Sequence, residues 1–317
     1  MVKEFDVICI GAALVDIIAK IERHPLEDDE VFVSDLQLLS GGAAANTAYA
    51  CSKLGLKTGF IGKIGRNDEF GHRIIKDFKE ISLDTTLIKY STEAVTGSAY
   101  VAINEKGDRR IYAYSGAANF LSEDDISSKD LVKSNIIFLS SLRNLVPFKK
   151  AAKIGKESSI PIILNPGMLI IDQGFENIKD LFFNIDILIM SSREFHNLFH
   201  IRKSNLDNQI IEDKAKILFN LGIKVIIVTM GKNGAIILNS NKLELIKPLQ
   251  VNHVIDTTGA GDAFSAGFIY GFIRNLSFEF KDLKSNVMIG NFVAAKCIQK
   301  LGARNGIPTG YELEINL

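Results

Sequence analysis

The stretch DTTGAGDAFSAGF, Asp256 to Phe268, places two aspartates around a glycine pair just ahead of a small and apolar run. Ala263, Phe264, Ala266, Gly267, Phe268 and Ile269 read as a buried helix, so the glycines form a loop opening into a helix N-terminus. The N–H groups of Gly259, Ala260 and Gly261 are then free to face an anion, and the helix dipole adds about half a positive charge there. Asp262 stands beside that anion seat, and read alone it simply caps the helix. A second glycine-rich element, SGGAAAN, also stands at the mouth of a helix, at residues 40–46, and Asp16 follows the first strand. Asp16 and Asn46 have the chemistry to seat a neutral polyol, since a carboxylate accepts two hydroxyl protons and an amide both donates and accepts. Gly41 and Gly42 let such a ligand approach the backbone.

The elements that must hold these residues have a regular rhythm. FDVICIG, residues 5–11, is a β-branched run ending in glycine, suited to a buried parallel strand. From Gly41 a glycine turn enters a helix that stops at Gly55, and KTGFIGKIG is the next strand. Beyond Leu121 come the strands IIFLSS, IPIILNPG, IDILIMS and KVIIVTMG, separated by helices near 147–158, 175–183, 192–200 and 211–221. Strands at 234–239 and KLELIKPL follow, and helices at about 262–275 and 284–301 complete the core. This pattern predicts an α/β fold, a doubly wound and mostly parallel sheet flanked by helices, with ligands at the carboxyl ends of the strands. Two segments, about 12–39 and 92–116, alternate apolar and polar residues instead, the second around a Lys106-Gly107 turn. They are read as a small β-sheet lid inserted in two pieces into a single domain spanning 1–317. Within the hairpin, only one of Arg109 and Arg110 faces the cleft by alternation, and at least one is a solvated edge charge.

Bulk properties remove several classes of function. With 47% hydrophobic residues in 317 the chain builds a large core. Lys plus Arg equals Asp plus Glu at 37 each, so no global field recruits nucleic acid or an anionic membrane. Cys9, Cys51 and Cys297 are far apart, in apolar contexts and without a CxxC, which suits core packing in a reducing compartment. No secretory leader pattern opens the chain and no apolar run reaches the ~18 residues of a membrane span, so a cytoplasmic protein is expected. His24, His72, His196, His200 and His253 lack ligand spacing and are expected at the surface. There is no P-loop and no dinucleotide fingerprint after the first strand, which argues against a nicotinamide dehydrogenase.

GGAAANTAYACSKLG and DTTGAGDAFSAGF resemble, in order and spacing, the two signatures of the PfkB-type, ribokinase-like carbohydrate kinases. GAALVD, GRNDEFG at 65–71, SGAANFL at 115–121, VTMGKNGA at 228–235 and GARNGIP at 302–308 fit as well, so the resemblance covers essentially the whole chain. It implies a ribokinase-like fold with a β lid, ATP and Mg2+ as cofactors, and transfer of the γ-phosphoryl group to a hydroxyl, usually a primary one. It gives Gly259, Ala260 and Gly261 the transferring phosphoryl oxygens and gives Asp262 the acceptor proton. With the ordinary pKa of about 3.9, Asp262 is an ionised, weak base, adequate where proton removal is late. Asp16, Gly41, Gly42 and Asn46 carry over to the sugar, and Thr229, Gly231, Lys232 and Asn291 to the nucleotide. Asp256 carries over to a monovalent-cation (K+) site or to the loop itself, where it equally caps its own turn. A homodimer through the lid is a further expectation.

Two departures stand out. Many relatives place Asn-x-x-Glu after the strand matching IDILIM, to order magnesium and phosphate; here Ser191, Ser192, Arg193 and Glu194 occupy it, and only the glutamate persists. A serine can still hold a water in the magnesium shell. Arg143 stands where ribokinase has a sugar-contacting glutamate, which weakens a ribose-specific site and extends the expected substrates to sugar acids and nucleosides. The alternatives are an adenosine-like nucleoside kinase and a non-catalytic sugar- or nucleotide-binding regulator.

Overall fold

The computed structural model describes residues 3–201 and 208–315. Its main sheet has eight strands in the order β14 (Leu243–Ile246), β13 (Ala235–Leu238), β12 (Val225–Thr229), β11 (Ile187–Ser191), β10 (Ile162–Asn165), β9 (Ser134–Ser140), β1 (Phe5–Gly11) and β4 (Thr58–Ile61). All neighbours are parallel from β12 to β4; β13 and β14 are antiparallel. These strands are short apolar runs because both faces are covered. Val7, Cys9, Ile136, Phe138, Val225 and Ile227 point to one face, where they pack with α1 (Ala43–Lys53), α2 (Glu69–Glu80), α9 (Ala260–Phe272), α10 (Phe280–Cys297) and α11 (Gly310–Ile315). Their neighbours Ile8, Ile10, Ile137, Leu139, Ile226 and Val228 point to the other. That face is covered by α3 (Ser128–Leu131), α4 (Val146–Glu157), α5 (Gly167–Ile171), α6 (Phe175–Phe182), α7 (Ser192–Leu198) and α8 (Asn208–Asn220). Phe138 and Phe268 are fully buried in the first layer, and truncating either to alanine costs about 3–5 kcal/mol.

The chain runs from β1 to β4 at one edge and then returns to β9 on the other side of β1. This reversal makes a switch point, where helices leave in opposite directions and open a crevice at the strands' carboxyl ends. Gly11 and Ser140 face each other there as register partners, so close that a Cβ on Gly11 would stand 2.1 Å from the Ser140 carbonyl oxygen.

The two alternating segments meet in a separate four-stranded sheet, ordered β3 (Val33–Gly41), β2 (Leu14–Ile21), β7 (Thr96–Asn104) and β8 (Arg109–Gly116). The two halves join through parallel pairing of β2 with β7, from Leu14↔Gly97 to Ile21↔Asn104. Its outer strands leave Leu36, Ile111, Tyr112 and Tyr114 exposed.

Some details differ from the pattern in the sequence. KTGFIGKIG is not one strand: it breaks at Gly62 into β4 and β5 (Lys63–Gly65), and β5 pairs with β6 (Lys89–Ser91). At Gly62 the chain passes so near the Gly11 carbonyl oxygen and the Phe60 ring that a Cβ would lie within 2.6 Å of both. His196, expected at the surface, is buried, its Nδ1–H donating to the Ser192 carbonyl one turn back. Cys9, Cys51 and Cys297 are buried free thiols. Among the described residues no helix is long and apolar enough to cross a membrane.

Candidate active site

Helix α9 begins two residues earlier than its apolar run suggests, so Asp262 lies in its first turn. Gly259, the residue before it, is left-handed at φ 75°, and a Cβ there would stand 2.3 Å from the Ala303 Cβ. Backbone geometry and packing both demand glycine at that point. Gly261 is different. A Cβ there meets nothing within 4 Å and its φ is not positive, so neither strain nor packing excludes a side chain, and the backbone faces open space. The N–H of Ala260 turns back to the Thr257 carbonyl at 3.3 Å, which removes it from the expected free set. Among the described residues the N–H groups of Gly259, Gly261 and Asp262 have no acceptor.

Asp262 is half-buried as a residue, but its carboxylate sits among protein groups. Asn46, from α1, donates through Nδ2 to Asp262 Oδ2 at 3.0 Å, and Thr47 Oγ1 donates to the Asp262 carbonyl at 3.4 Å. Burial raises the Asp262 pKa to about 7; the Asn46 hydrogen bond and the Arg304 charge pull it down, while Glu194 and Asp16 push it up. This corrects the expectation of an unperturbed carboxylate, which rests on a solvated reference that the loop does not provide.

Asp16 lies on β2, opposite Leu39 of β3. The glycine at 41 is required by this carboxylate: a Cβ on Gly41 would stand 2.4 Å from Asp16 Oδ2. Burial raises Asp16 to about 6, against the pull of Arg304. Gly42, at φ 94°, is the residue before α1, and the Asn46 N–H donates to its carbonyl at 2.7 Å.

Arg304 was absent from the set expected from sequence. Its Nε–H donates to Asn46 Oδ1 at 2.9 Å across 258 positions of chain, and its Nη1 lies 3.6 Å from Asp77 Oδ2 of α2. The guanidinium covers the rings of Tyr49 and Phe78, at 5.0 and 5.5 Å from their centroids. The residue is only 7% exposed. The signal in the sequence was an arginine amid the small residues of GARNGIP, but its burial depends on partners far along the chain.

Asp256 is buried, and both of its oxygens are engaged by donors. Oδ1 accepts from Thr258 N at 3.0 Å, from Thr258 Oγ1 at 2.7 Å and from Arg109 Nη2 of β8 at 3.4 Å; Oδ2 accepts from Gly302 N at 2.9 Å. Burial works to raise its pKa, but these bonds outweigh it and hold the group below the usual carboxylate range. A carboxylate accepting from these donors ties the loop before α9 to the loop at Gly302. Cys297 joins the same two loops, its thiol donating to the carbonyls of Thr258 and Ala303.

Across the crevice, Ser191 ends β11 in register with Thr229 of β12. Ser191 Oγ accepts from Glu194 N while Glu194 Oε2 accepts from Ser191 N, a reciprocal cap that opens α7. The serine standing in the family's asparagine position therefore orders the same glutamate through the backbone. Burial raises the Glu194 pKa, against the Ser191 bonds. Among the described residues no three His, Cys, Asp or Glu side chains gather as a metal cage. Glu194 alone suits a magnesium ion that keeps most of its water and phosphate ligands. Gly231 and Lys232 lie in the turn after Thr229, with Lys232 exposed. Asn291 on α10 donates to the Lys247 carbonyl at 3.1 Å and bonds to none of these three. Arg143 is exposed, and its side chain has no hydrogen-bond or ion-pair partner among the described residues.

A doubly wound sheet whose switch-point crevice carries a carboxylate beside unpaired helix-terminal amides, with a small sheet attached, has the parts that a kinase of small molecules needs. The chain matches the pfkB family of carbohydrate kinases over residues 4–310 and belongs to that family. A ribokinase of Staphylococcus aureus is 32% identical over 305 residues, 95% of this chain and 96% of that protein. An uncharacterized sugar kinase of Archaeoglobus fulgidus is also 32% identical, over 81% of this chain and 97% of its own. The structure of Arabidopsis thaliana ribokinase complexed with ribose and ATP superposes with a TM-score of 0.85 at 25% identity, covering 99% of this chain and 98% of that one. The protein is thus a sugar kinase of the ribokinase-like fold.

Proposed function

We propose that this kinase transfers the γ-phosphoryl group of ATP to a hydroxyl of a hydroxyl-rich sugar or related polyol, with Asp262 as general base. The observation that carries this reading is the placement of Asp262 in the first turn of α9, next to the open backbone at Gly261, hydrogen-bonded to Asn46 and near enough to Asp16 for their charges to interact. ATP, bound with Mg2+, supplies the electrophilic phosphoryl group. The free amides of Gly259, Gly261 and Asp262 stabilise charge on that group, with Ala260 contributing backbone shape. Thr229, Gly231, Lys232 and Asn291 line the nucleotide side, and Glu194 reaches the metal through water. A base with a pKa near neutrality is half ionised at neutral pH and takes up the hydroxyl proton more readily than an ordinary carboxylate. Asp16 and Asn46 clamp vicinal hydroxyls, and Asp256 orders the loop.

The four-stranded sheet serves as the lid. Its strands expose apolar residues on their own, and closing over the sugar excludes the water that would otherwise accept the phosphoryl group. A second copy of the chain covers its outer residues.

A coupled ADP-release assay over sugars, their deoxy analogues, sugar acids and nucleosides tests this reading. Turnover is expected with vicinal-diol sugars and a steep loss with the matching deoxy compounds, whose absence leaves Asp16 or Asn46 unpaired. ADP release with nucleosides alone would shift the assignment to a nucleoside kinase. No release with any compound, from protein that still binds sugar and ATP, would establish the non-catalytic regulator instead.

A further inference from the structure

We propose that Arg304 is a positioning residue for phosphoryl transfer: it fixes the Asn46 amide against Asp262 and sets a positive charge beneath the Asp16–Asp262 pair. This inference rests on the general-base reading of Asp262.

Donor and acceptor identity sets the orientation of the amide. An arginine Nε–H can only donate, so it selects the oxygen of Asn46 and leaves Nδ2 as the atom that faces Asp262. Without that donor the amide is free to turn its oxygen toward the carboxylate, an acceptor against an acceptor. Asn46 is itself buried, so it has no water shell to restore the correct orientation.

Burying the Arg304 charge where it stands is costly. Its side chain is 8% exposed, and neither Nη1 nor Nη2 makes a hydrogen bond, since Asp77 at 3.6 Å is an ion-pair neighbour only. A guanidinium buried for packing alone would be disfavoured against an apolar side chain of similar volume. What it does here is oppose the negative groups around the base. Asp262 is faced by Asp16 from β2, Asn46 from α1, Glu194 from α7, Cys297 from α10 and Arg304 from the loop after α10. Of these, Arg304 alone is cationic. The guanidinium is held in turn by Asp77 of α2 and by the rings of Tyr49 and Phe78, and it borders a cavity of about 200 Å³ lined also by Ser40, Tyr49, Arg73 and Asp77.

The test is the dependence of kcat, KM and pH profile on Arg304→Met, Arg304→Lys and Asp77→Asn, in protein whose unfolding midpoint is recorded alongside. Wild type must first turn over a sugar; if it does not, the proposed function fails and the inference has no object. With turnover in hand, Arg304→Met is expected to lower kcat about 100-fold with KM for ATP changed less than about threefold. The acid limb of kcat/KM should move up by about one pH unit, because Asp262 loses its neighbouring cation. Arg304→Lys should keep the limb near its wild-type position while kcat stays low, since an ammonium keeps the charge but not the Nε–H geometry. Asp77→Asn should move the limb the other way, because the Arg304 charge is then less compensated. A folded Arg304→Met enzyme whose acid limb stays in place would overturn the proposal, whatever its rate. If that variant does not fold, Asp77→Asn decides: a downward limb supports the proposal and an unmoved one overturns it.

Discussion

Asp262 carries opposed demands, because the burial that makes it a useful base also penalises its charge. Its pKa is higher folded than unfolded, so its contribution to stability is fully present below the ordinary carboxylate value and is lost as pH rises through about 7. Asp262→Asn should lower kcat about 100-fold or more with sugar and ATP affinities within a few fold. The same variant should unfold at a higher temperature than wild type at pH 8, by roughly a few degrees, with the gap closing toward pH 5. Thermal scans at the two pH values beside steady-state kinetics check this; equal midpoints at both would mean that the carboxylate is not strained by burial. Asp16 is raised by burial to about 6, and once protonated it loses an acceptor, so KM for the sugar should rise below that pH. None of this is legible in DTTGAGDAF, which identifies the carboxylate and its helix but not the dielectric around it. Arg304 is the sharper case, since nothing near it in sequence announces Asn46 or Asp77.

At the scale of elements, the two glycines at the start of α9 do different work. Gly259→Ala must both leave its left-handed backbone and displace Ala303, so it should destabilise the fold measurably. Gly261→Ala meets no neighbour and gains helix propensity, up to about 1 kcal/mol, so stability should hold or rise. Its methyl group nonetheless fills the open space over the backbone, and kcat/KM for ATP should fall at least tenfold. A Gly261→Ala enzyme with unchanged ATP kinetics would place the phosphates elsewhere. The βαβ rhythm of the main sheet is readable from the apolar runs because every strand is buried on both faces. The break of KTGFIGKIG at Gly62 is not, because it is imposed by the Gly11 carbonyl of another strand. Likewise the early start of α9 follows from Ala303 seating Gly259, a contact across the molecule.

For the whole molecule, the attachment of the small sheet is the feature on which the proposed closure depends. It is joined to the loop before α9 by the ion pair of Arg109 with Asp256, the one partly exposed and the other buried. Sugar binding should slow hydrogen exchange in residues 14–41 and 96–116 as the sheet closes, with little change in the strands of the main sheet. Identical exchange profiles with and without sugar would mean that the sheet is fixed in place.

The three buried thiols give this molecule its own clocks. Cys9 lies on β1, one strand in from the edge of the main sheet, Cys51 on α1 and Cys297 on α10, where burial pushes its pKa up to about 12 and leaves almost no thiolate to react. A thiol reagent therefore labels each one only when its surroundings open; Cys9 and Cys51 hydrogen-bond to each other and report on one place, Cys297 on another. If the molecule opens only as a whole, the times coincide and saturating sugar plus nucleotide lengthens all of them together. If the loops that Cys297 bridges open by themselves, its time is the shortest of the three and ligands lengthen it most. Mass spectrometry of the labelled peptides over time separates the two outcomes.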